Sequence, residues 1–524
     1  MPAAQAGQEE KAKGVSATRT ITEGAATVVV PERNQVFFNP AQVFNRDLSI
    51  LAISAWRDLV DEAQGIDGAG QDGPESAHKH ARPRILEAFG ASGLRSIRYA
   101  KEIAHVGQVV CNDVDANAVQ IMERNAVRNG LDATRFLANR GDAKQFMYQS
   151  PNTFDVIDLD PYGTAAPYMD AAIQSVSPGG LLCVTCTDTQ VLAGARYADQ
   201  CYARYGGVPL KSDASHELAI RLVLGALHGA TARHGRAIVP LLSIFLDFYV
   251  RVFVQVNPVP RAARDAASNM MLVYQCTGCR SLETLRLAPP AAAPGQSPAA
   301  VTATVGSTCP ECGRGYHLGG PMWSGALHDS RFLARLGTLA STTTLRTVPR
   351  IAGLVSLTAQ ELADAPLYLT QRALTGAVRA PSMPLRDLET ALVNAGFRVS
   401  RTHVHPNAIK TDAPNRVLWD VMRAHAKRSV ARQSAAAGPC GEPGSVVHAL
   451  LSREITTPGG IEFAPRPQVE SDGAVVADAA GAVPRGKVIR AAGGSAPGSR
   501  FPGPDVDGEE LRRCDPSRDL ANDP

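Results

Sequence analysis

The stretch that decides the fold is ILEAFGASGLRSIR, residues 85–98. A short apolar run leads into a loop that contains Gly90 and Gly93, and the residues after the loop have the pattern of a helix. Glycines allow the backbone to turn tightly and approach a ligand, and the N-terminus of a helix favours an anion such as a carboxylate. The stretch therefore predicts a strand, a turn and a helix, either as a plain structural unit or as the start of a cofactor site.

Further short apolar runs follow this unit and alternate with helical patterns. They are residues 108–111, 135–138, 156–159 and 181–185. Strands that alternate with helices indicate βαβ units in a parallel sheet. The segment Ile238–Val256 is apolar but is interrupted by Asp247 and Arg251, so we interpret it as a pair of buried strands rather than a membrane span. The predicted fold is α/β, a Rossmann-like doubly wound sheet over residues 21–275.

Acidic residues stand at the ends of the first three predicted strands. Glu87 ends the first, Asp113 the second, and Asp142 with Ala143 follows the third. The carboxyl ends of parallel strands meet at one edge of the sheet, where an acid after the second strand accepts hydrogen bonds from ribose hydroxyls. Asp142 is placed to accept a hydrogen bond from an adenine amino group. A nicotinamide oxidoreductase shares the glycine loop and Asp113, but it gives no reason for Asp142.

The fourth predicted strand runs directly into Asp160-Pro161-Tyr162-Gly163. A plain turn at the end of a strand is one explanation of this tetrapeptide. The other is chemical, because the exocyclic amine of a nucleobase is a poor nucleophile that must be oriented. A carboxylate and a proline-constrained carbonyl can accept both N–H hydrogens, and an aromatic ring can stack on a base that has left its helix. We therefore predict S-adenosylmethionine-dependent methyl transfer, with Asp160 orienting the amine and Tyr162 stacking.

The composition of the chain limits the other classes of function. It has 524 residues, 44% hydrophobic and 20% charged, and a formal net charge of +3, so a nucleic-acid surface must be local. No apolar signal core occurs at the N-terminus, and we expect an intracellular protein without membrane association. We expect the segments outside residues 21–433 to be largely disordered, namely residues 1–20 and the Gly/Ala/Pro-rich tail 434–524, in which the apolar patch Val446–Leu451 is a candidate for docking.

Four of the ten cysteines form two closely spaced pairs. They are Cys276, Cys279, Cys309 and Cys312. Two Cys-x-x-Cys pairs suit a tetrahedral structural zinc site, and reduced thiols that have lost a metal are the alternative. Neither His317 nor His328 is needed for such a set. His216-Glu217 lacks the second histidine of a metalloprotease motif, so we predict a capping or polar core role for it.

These motifs resemble those of the tRNA guanine-26 N2-dimethyltransferase family of eukaryotes and archaea. The resemblance extends over residues 21–425. It includes the segments 36–40, 45–49, 93–99, 160–163, 215–217, 249–253 and 406–414. Glu87 stands where the family more usually has Asp.

The resemblance implies one or two methyl transfers to the N2 of guanine 26 in tRNA, by a nuclear or mitochondrial enzyme if the source is eukaryotic. It also implies that Phe37 and Tyr162 flank the flipped base. The residues implied to contact S-adenosylmethionine, with Glu87 added by its position, are Arg46, Glu87, Arg95, Asp113, Asp142 and Ala143. We expect the enzyme to act as a monomer.

Residues 276–433 are predicted to form a smaller C-terminal α+β domain that carries the zinc knuckle and binds tRNA. Its basic residues are Arg398, Arg401, Lys410, Arg416 and those in 423–432. Phosphate contact is one interpretation of this cluster, and a solvated helix face is the other. Three other functions stay open on the residues alone: an adenine N-methyltransferase, a non-catalytic RNA-binding protein and a zinc-stabilised scaffold.

Overall fold

A computed structural model of the chain describes residues 18–31, 39–65, 82–194, 196–259, 265–289, 304–432 and 442–464. All of them fall in one compact unit. The first strand begins at Thr18, inside the segment expected to be disordered, and residues 442–464 of the expected tail are ordered against the unit. No helix in these ranges is long and apolar enough to cross a membrane.

The strands of the described residues are, in chain order, β1 Thr18–Glu23, β2 Ala26–Pro31, β3 Ile85–Glu87, β4 Val109–Asp113, β5 Phe136–Arg140, β6 Phe154–Leu159, β7 Val176–Cys186, β8 Arg236–Leu246, β9 Tyr249–Pro258, β10 Met270–Cys276, β11 Leu282–Arg286, β12 Tyr316–Trp323, β13 Leu369–Thr370, β14 Val399–Arg401 and β15 Ala408–Thr411. The α-helices are α1 Val43–Ala63, α2 Leu94–Glu102, α3 Ala116–Arg128, α4 Ala143–Tyr148, α5 Met169–Ser175, α6 Thr189–Leu192, α7 Ala198–Tyr205, α8 Ser215–Arg233, α9 Ser330–Thr342, α10 Val348–Ala359, α11 Gln371–Ala377, α12 Leu385–Asn394, α13 Asn415–Arg432 and α14 Val446–Leu451.

A seven-stranded sheet forms the centre of the fold, in the order β5-β4-β3-β6-β7-β9-β8. The first five strands of this order are parallel, which confirms the predicted βαβ arrangement. The segment read as a strand pair forms β8 and β9, and β9 is inserted antiparallel between β7 and β8. The inner strands are apolar along their length because helices cover both faces of the sheet. The carboxyl ends of β3, β4, β5 and β6 meet at one edge, as expected.

Each face of the sheet has its own hydrophobic core. On one face, α5 and α8 pack over β6, β7 and β9 together with β10 and β12. On the other, α1, α2, α9 and α10 pack against β3, β6 and β8. Helices α9 and α10 lie beyond residue 276 in sequence, yet they share this core with the methyltransferase-type sheet. The segments before and after residue 276 are thus joined by common cores.

Two smaller parts complete the described structure. The hairpin β1–β2 packs on α2 and α3, where Asn125 and Asn129 bond to its backbone. The C-terminal core combines the sheet β13-β15-β14 with α11 to α14 and the four paired cysteines. Trp419 on α13 donates to Ser281 Oγ at 2.9 Å, and Ser281 Oγ lies 3.2 Å from Cys279 Sγ. The cysteine turns are therefore anchored in the C-terminal core.

Candidate active site at the carboxyl edge of the sheet

The glycine loop lies directly over the second strand. Gly90 N–H donates to Asn112 O at 2.7 Å, and a Cβ at residue 90 would clash with the Cys111 sulfur. Gly93 has φ +77° and forms the N-cap of α2, next to Met122. The left-handed conformation and the close packing both require glycine here. The loop places the N-terminus of α2 at the carboxyl edge, as the sequence predicted.

Glu87, at the end of β3, faces this helix start rather than open solvent. Its Oε2 accepts from Ser96 N at 3.0 Å and from Ser96 Oγ, and its Oε1 lies 3.5 Å from Arg95 Nε. Burial raises the pKa of Glu87 to about 7, although Arg95 and Ser96 act in the opposite direction. The carboxyl thus caps α2 and is poised between its two protonation states near neutral pH.

Asp113 and its neighbour Asn112 connect the loops that surround the edge. Asp113 accepts from the backbone N–H groups of Ala91 and Asp115 at 2.9 and 3.0 Å. Asn112 donates to Ala88 O at 3.1 Å and to Gly141 O at 3.2 Å, so one side chain ties three strand ends together. Asn112 was not predicted as a site residue, although its place beside Asp113 at a buried strand end was an available signal.

Asp142 and Ala143 stand at the start of α4, beside Asp113. The backbone of Gly141 donates to Asp113 O at 3.1 Å, which brings the third strand end against the second. Asp142 is exposed and caps the helix by accepting from Gln145 N at 3.0 Å, while Ala143 is buried. The structure therefore brings Glu87, Asp113 and Asp142 to one edge, in agreement with the sequence.

Asp160 follows β6 at the same edge, and its carboxylate contacts the guanidinium of Arg95. Arg95 also reaches Asp158 Oδ2 at 3.3 Å. Asp158 is fully buried and receives both Nη groups of Arg251, at 2.8 and 2.9 Å, and the hydroxyl of Tyr99. This network holds the Asp160 carboxylate in position from the protein interior. Of its buried members, Arg95 was predicted as a site residue, whereas the roles of Asp158, Arg251 and Tyr99 were not predicted from the sequence.

Two charges dominate the protonation state of this network. Burial by itself raises the pKa of Asp158. The positive charges of Arg251 and Arg95 lower the pKa by a larger amount, to about 2. Asp158 is therefore anionic at neutral pH. Its charge holds both guanidinium groups in place beneath Asp160.

Tyr162 is the exposed part of the motif. Its side chain is 77% exposed, while Pro161 behind it is buried. Gly163 has φ +77°, and its N–H donates to Thr187 Oγ1 at 2.9 Å, which ties the turn to the end of β7. Partial burial and the carboxylates of Asp113 and Asp160 raise the pKa of Tyr162, so the phenol is neutral. The ring presents a surface suited to stacking, whereas Phe37 lies outside the described residues.

Arg46, implied to contact the cofactor, lies on α1 and is 7% exposed. Its Nε and Nη2 donate to the two carboxylate oxygens of Glu23, both at 2.6 Å. Arg98 also reaches Glu23, so the hairpin β1–β2 is fastened to α1 and α2 by ion pairs. A contact between Arg46 and S-adenosylmethionine stays a prediction.

The basic residues expected to contact phosphate are mostly engaged within the protein. Lys410 is 2% exposed and Arg423 is 3% exposed, so neither phosphate contact nor a solvated helix face describes these two residues. Two exposed arginines pair with acids, Arg398 with Asp364 and Asp412 and Arg401 with Glu389, and the half-buried Arg428 pairs with Asp387. Sequence clustering did not reveal these partners because the acids are supplied by other elements.

Lys410 belongs to a buried polar cluster between α8 and the C-terminal part. Its Nζ lies 3.2 Å from Glu217 Oε1 and 2.7 Å from Glu361 Oε1, which confirms a polar core role for Glu217. His403 Nδ1 lies 2.7 Å from Glu361 Oε2, and His328 is nearby. Ser243 N–H lies 3.4 Å from His328 Nδ1, on the sheet side of the cluster. The cluster therefore joins the central sheet and α8 to the C-terminal part.

The four paired cysteines come together as expected. All four are buried, with Cys276 Sγ 3.3 Å from Cys312 Sγ and Cys279 Sγ 3.6 Å from Cys309 Sγ. These separations are too long for disulfides and close to the roughly 3.8 Å between thiolates around tetrahedral zinc. Gly278 N–H donates to Cys276 Sγ at 3.4 Å, a bond that stabilises a thiolate. The residues present therefore suit a structural zinc ion.

The fold and the site at its carboxyl edge define a class I S-adenosylmethionine-dependent methyltransferase. Comparison with known proteins agrees with this class. The chain is similar in fold to "Trm1 from Pyrococcus horikoshii with S-adenosyl-L-Methionine", with a TM-score of 0.63 and 24% identity over 77% of this chain and 99% of that one.

The sequence matches more specific relatives. The family model of N2,N2-dimethylguanosine tRNA methyltransferases matches residues 16–423. The tRNA (guanine(26)-N(2))-dimethyltransferase of Schizosaccharomyces pombe is 39% identical, covering 78% of this chain and 82% of that protein. The enzyme of the same name from Mus musculus is 42% identical, covering 77% and 67%. The chain belongs to the N2,N2-dimethylguanosine tRNA methyltransferase family and is a tRNA guanine N2-methyltransferase.

Proposed function

We propose that the chain transfers one or two methyl groups from S-adenosylmethionine to the N2 of guanine 26 in tRNA, with Asp160 orienting the amine. The anchored carboxylate of Asp160 beside the exposed ring of Tyr162 supports this assignment most directly. The relatives' names supply the position in the tRNA. A relative from Saccharomyces cerevisiae is named mitochondrial, which supports a mitochondrial location, and a nuclear location stays a prediction.

The cofactor is proposed to bind across the strand ends, where it supplies an electrophilic methyl group. Asp113 would bond the ribose, and Asp142 and Ala143 the adenine, because they lie beside each other at the ends of β4 and β5. The N-terminus of α2, held by Glu87, and the guanidinium of Arg95 suit the carboxylate of the methionine part. Arg46 would approach the cofactor from α1.

Catalysis is proposed to rest on orientation. Asp160 and the carbonyl beside Pro161 accept the two N–H hydrogens of the amine, so that its nitrogen faces the methyl carbon. The N–C bond forms as the S–C bond breaks, and the proton of the methylated amine passes to the Asp160 carboxylate and then to water. Tyr162 stacks on the flipped base, and Phe37 is proposed to cover its other face.

The cysteine cluster is proposed to hold one structural zinc ion. Four thiolates from two turns fill a tetrahedral site, so no position stays open for catalysis. The anchoring of Cys279 through Ser281 to Trp419 supports a role in shaping the C-terminal core. The C-terminal part is proposed to recognise tRNA by its shape and backbone.

The experiment that tests the function is nucleoside analysis by mass spectrometry after incubation with an unmodified tRNA transcript. We expect N2-methylguanosine, followed by the dimethylated form, in the wild-type transcript. A transcript with adenine at position 26 is the control and should stay unmodified. Methylation of adenine, or of guanine in the control transcript, would contradict the assignment.

A further inference from the structure

A groove of about 400 Å³ lies between the loop after α7 and the first cysteine turn. Lys211 comes from the loop, Arg280 from the cysteine turn and His317 from β12, and all three are exposed. The residues that line the groove include no carboxylate, although Asp213 pairs with Arg280 beside it. The Arg280 guanidinium also donates to Lys211 O at 3.1 Å, which fixes the two cationic residues side by side. The cationic side chains of this lining favour an anionic ligand.

The groove lies close to the catalytic turn. Thr164, directly after the motif, has its Oγ1 2.7 Å from the hydroxyl of Tyr205, the last residue of α7. Lys211 follows Tyr205 by six residues, so the Cα atoms of these two residues are at most about 22 Å apart. A stem of several base pairs covers this distance, so one bound RNA can contact both the catalytic turn and the groove.

A larger groove, of about 680 Å³, occurs elsewhere but faces the wrong way. It lies beside the starts of β6 and β7, at Asp155 and Gly180, and therefore at the sheet edge opposite to Asp160. Its walls carry two carboxylates, of Asp155 and Asp329, and two guanidinium groups, of Arg57 and Arg331, so their charges balance.

We propose that the groove of Lys211, Arg280 and His317 binds the RNA backbone of the stem beside the target base. This inference rests on the proposed function. Arginine and lysine side chains bind phosphate oxygens and position a duplex without reading its sequence. In the free protein Arg280 pairs with Asp213 at 3.3 Å, but both side chains are more than 40% exposed. Such a pair is weak in water and yields readily to a phosphate.

The test measures tRNA affinity by fluorescence anisotropy over a range of salt concentrations, with the full chain and an unmodified transcript. The variant Lys211→Ala/Arg280→Ala should bind tRNA several-fold more weakly. Its slope of log Kd against log salt should fall by about one to two, the value for two lost phosphate contacts. Affinity for S-adenosylmethionine should be unchanged. Arg331→Ala/Arg335→Ala, beside the opposite groove, is the matched control and should keep the wild-type slope.

A second variant makes the test independent of folding defects. Asp213→Asn removes the competing carboxylate, and tRNA should then bind more tightly than to the wild type. An unchanged salt slope in the double variant, or weaker tRNA binding by Asp213→Asn, would overturn the inference. Both variants are compared with wild-type protein that methylates tRNA. Absence of methylation by the wild type would show separately that the proposed function itself fails.

Discussion

The guanidinium of Arg95 lies against the carboxylate of Asp160 and reaches Asp158 Oδ2, 3.3 Å away, with another nitrogen. Asp158 is held in turn by Arg251. The position of Asp160 is therefore set by buried side chains and not by the surface turn alone. Orientation of a weak nucleophile requires such support, because small errors in position reduce the rate strongly.

The buried anion Asp158 should make stability depend on acid. Its pKa in the folded protein is about 2, below the ordinary 3.8. A lowered pKa contributes about 2 kcal/mol to the free energy of unfolding. This contribution is present above about pH 4 and is lost as the pH falls through 2. Asp158→Asn should unfold more easily in urea at pH 6, and its deficit relative to the wild type should shrink below pH 4. A deficit that is constant with pH would contradict this.

Glu87 should have the opposite effect. Burial raises its pKa to about 7 from 4.5, so the wild type loses stability as the pH rises from about 4.5 to 7, on the order of 3 kcal/mol. Glu87→Gln keeps an acceptor for Ser96 but cannot ionise. Urea unfolding should show the variant gaining stability relative to the wild type between pH 5 and pH 8. An equal difference at both pH values would show that Glu87 does not take up a proton on folding.

Much of the fold could be predicted from sequence because its signals are local. The strands β3 to β7 follow from apolar runs, and the cysteine cluster follows from spacing. The support of Asp160 could not be predicted, since Arg251 is 93 residues from Asp158 in sequence and contacts it only through the antiparallel insertion of β9. The basic cluster could not be interpreted from sequence for the same reason, because Lys410 and Glu217 are far apart in the chain and come into contact only in the folded protein.

The cysteine cluster should contain one zinc ion per chain, measured by elemental analysis of the purified protein. Cys309→Ser should lose most of the zinc and lower the Tm, because the thiolates help to close the C-terminal core. Cys201→Ser, which removes a buried thiol outside the cluster, is the control and should keep its zinc. Wild-type protein without zinc, or a Cys309→Ser variant with a full equivalent, would count against the site.

Stacking by Tyr162 should appear in the affinity for tRNA. Loss of one aromatic contact with a base is worth about 1–3 kcal/mol, so Tyr162→Ala should raise the KM for tRNA by roughly 5- to 150-fold. Tyr162→Phe keeps the ring and should stay close to the wild type. The KM for S-adenosylmethionine should change little in either variant. Equal defects in the Ala and Phe variants would show that the hydroxyl, and not the ring, is important.

The central claim is that Asp160 orients the amine and does not hold the cofactor. The most direct measurement is the single-turnover rate of methyl transfer by Asp160→Ala, with calorimetric titration of S-adenosylmethionine on the same sample. We predict a rate at least about 100-fold below the wild type and a cofactor Kd within a few-fold of it. A variant that transfers methyl groups at the wild-type rate, or one that fails to bind the cofactor, would contradict the account.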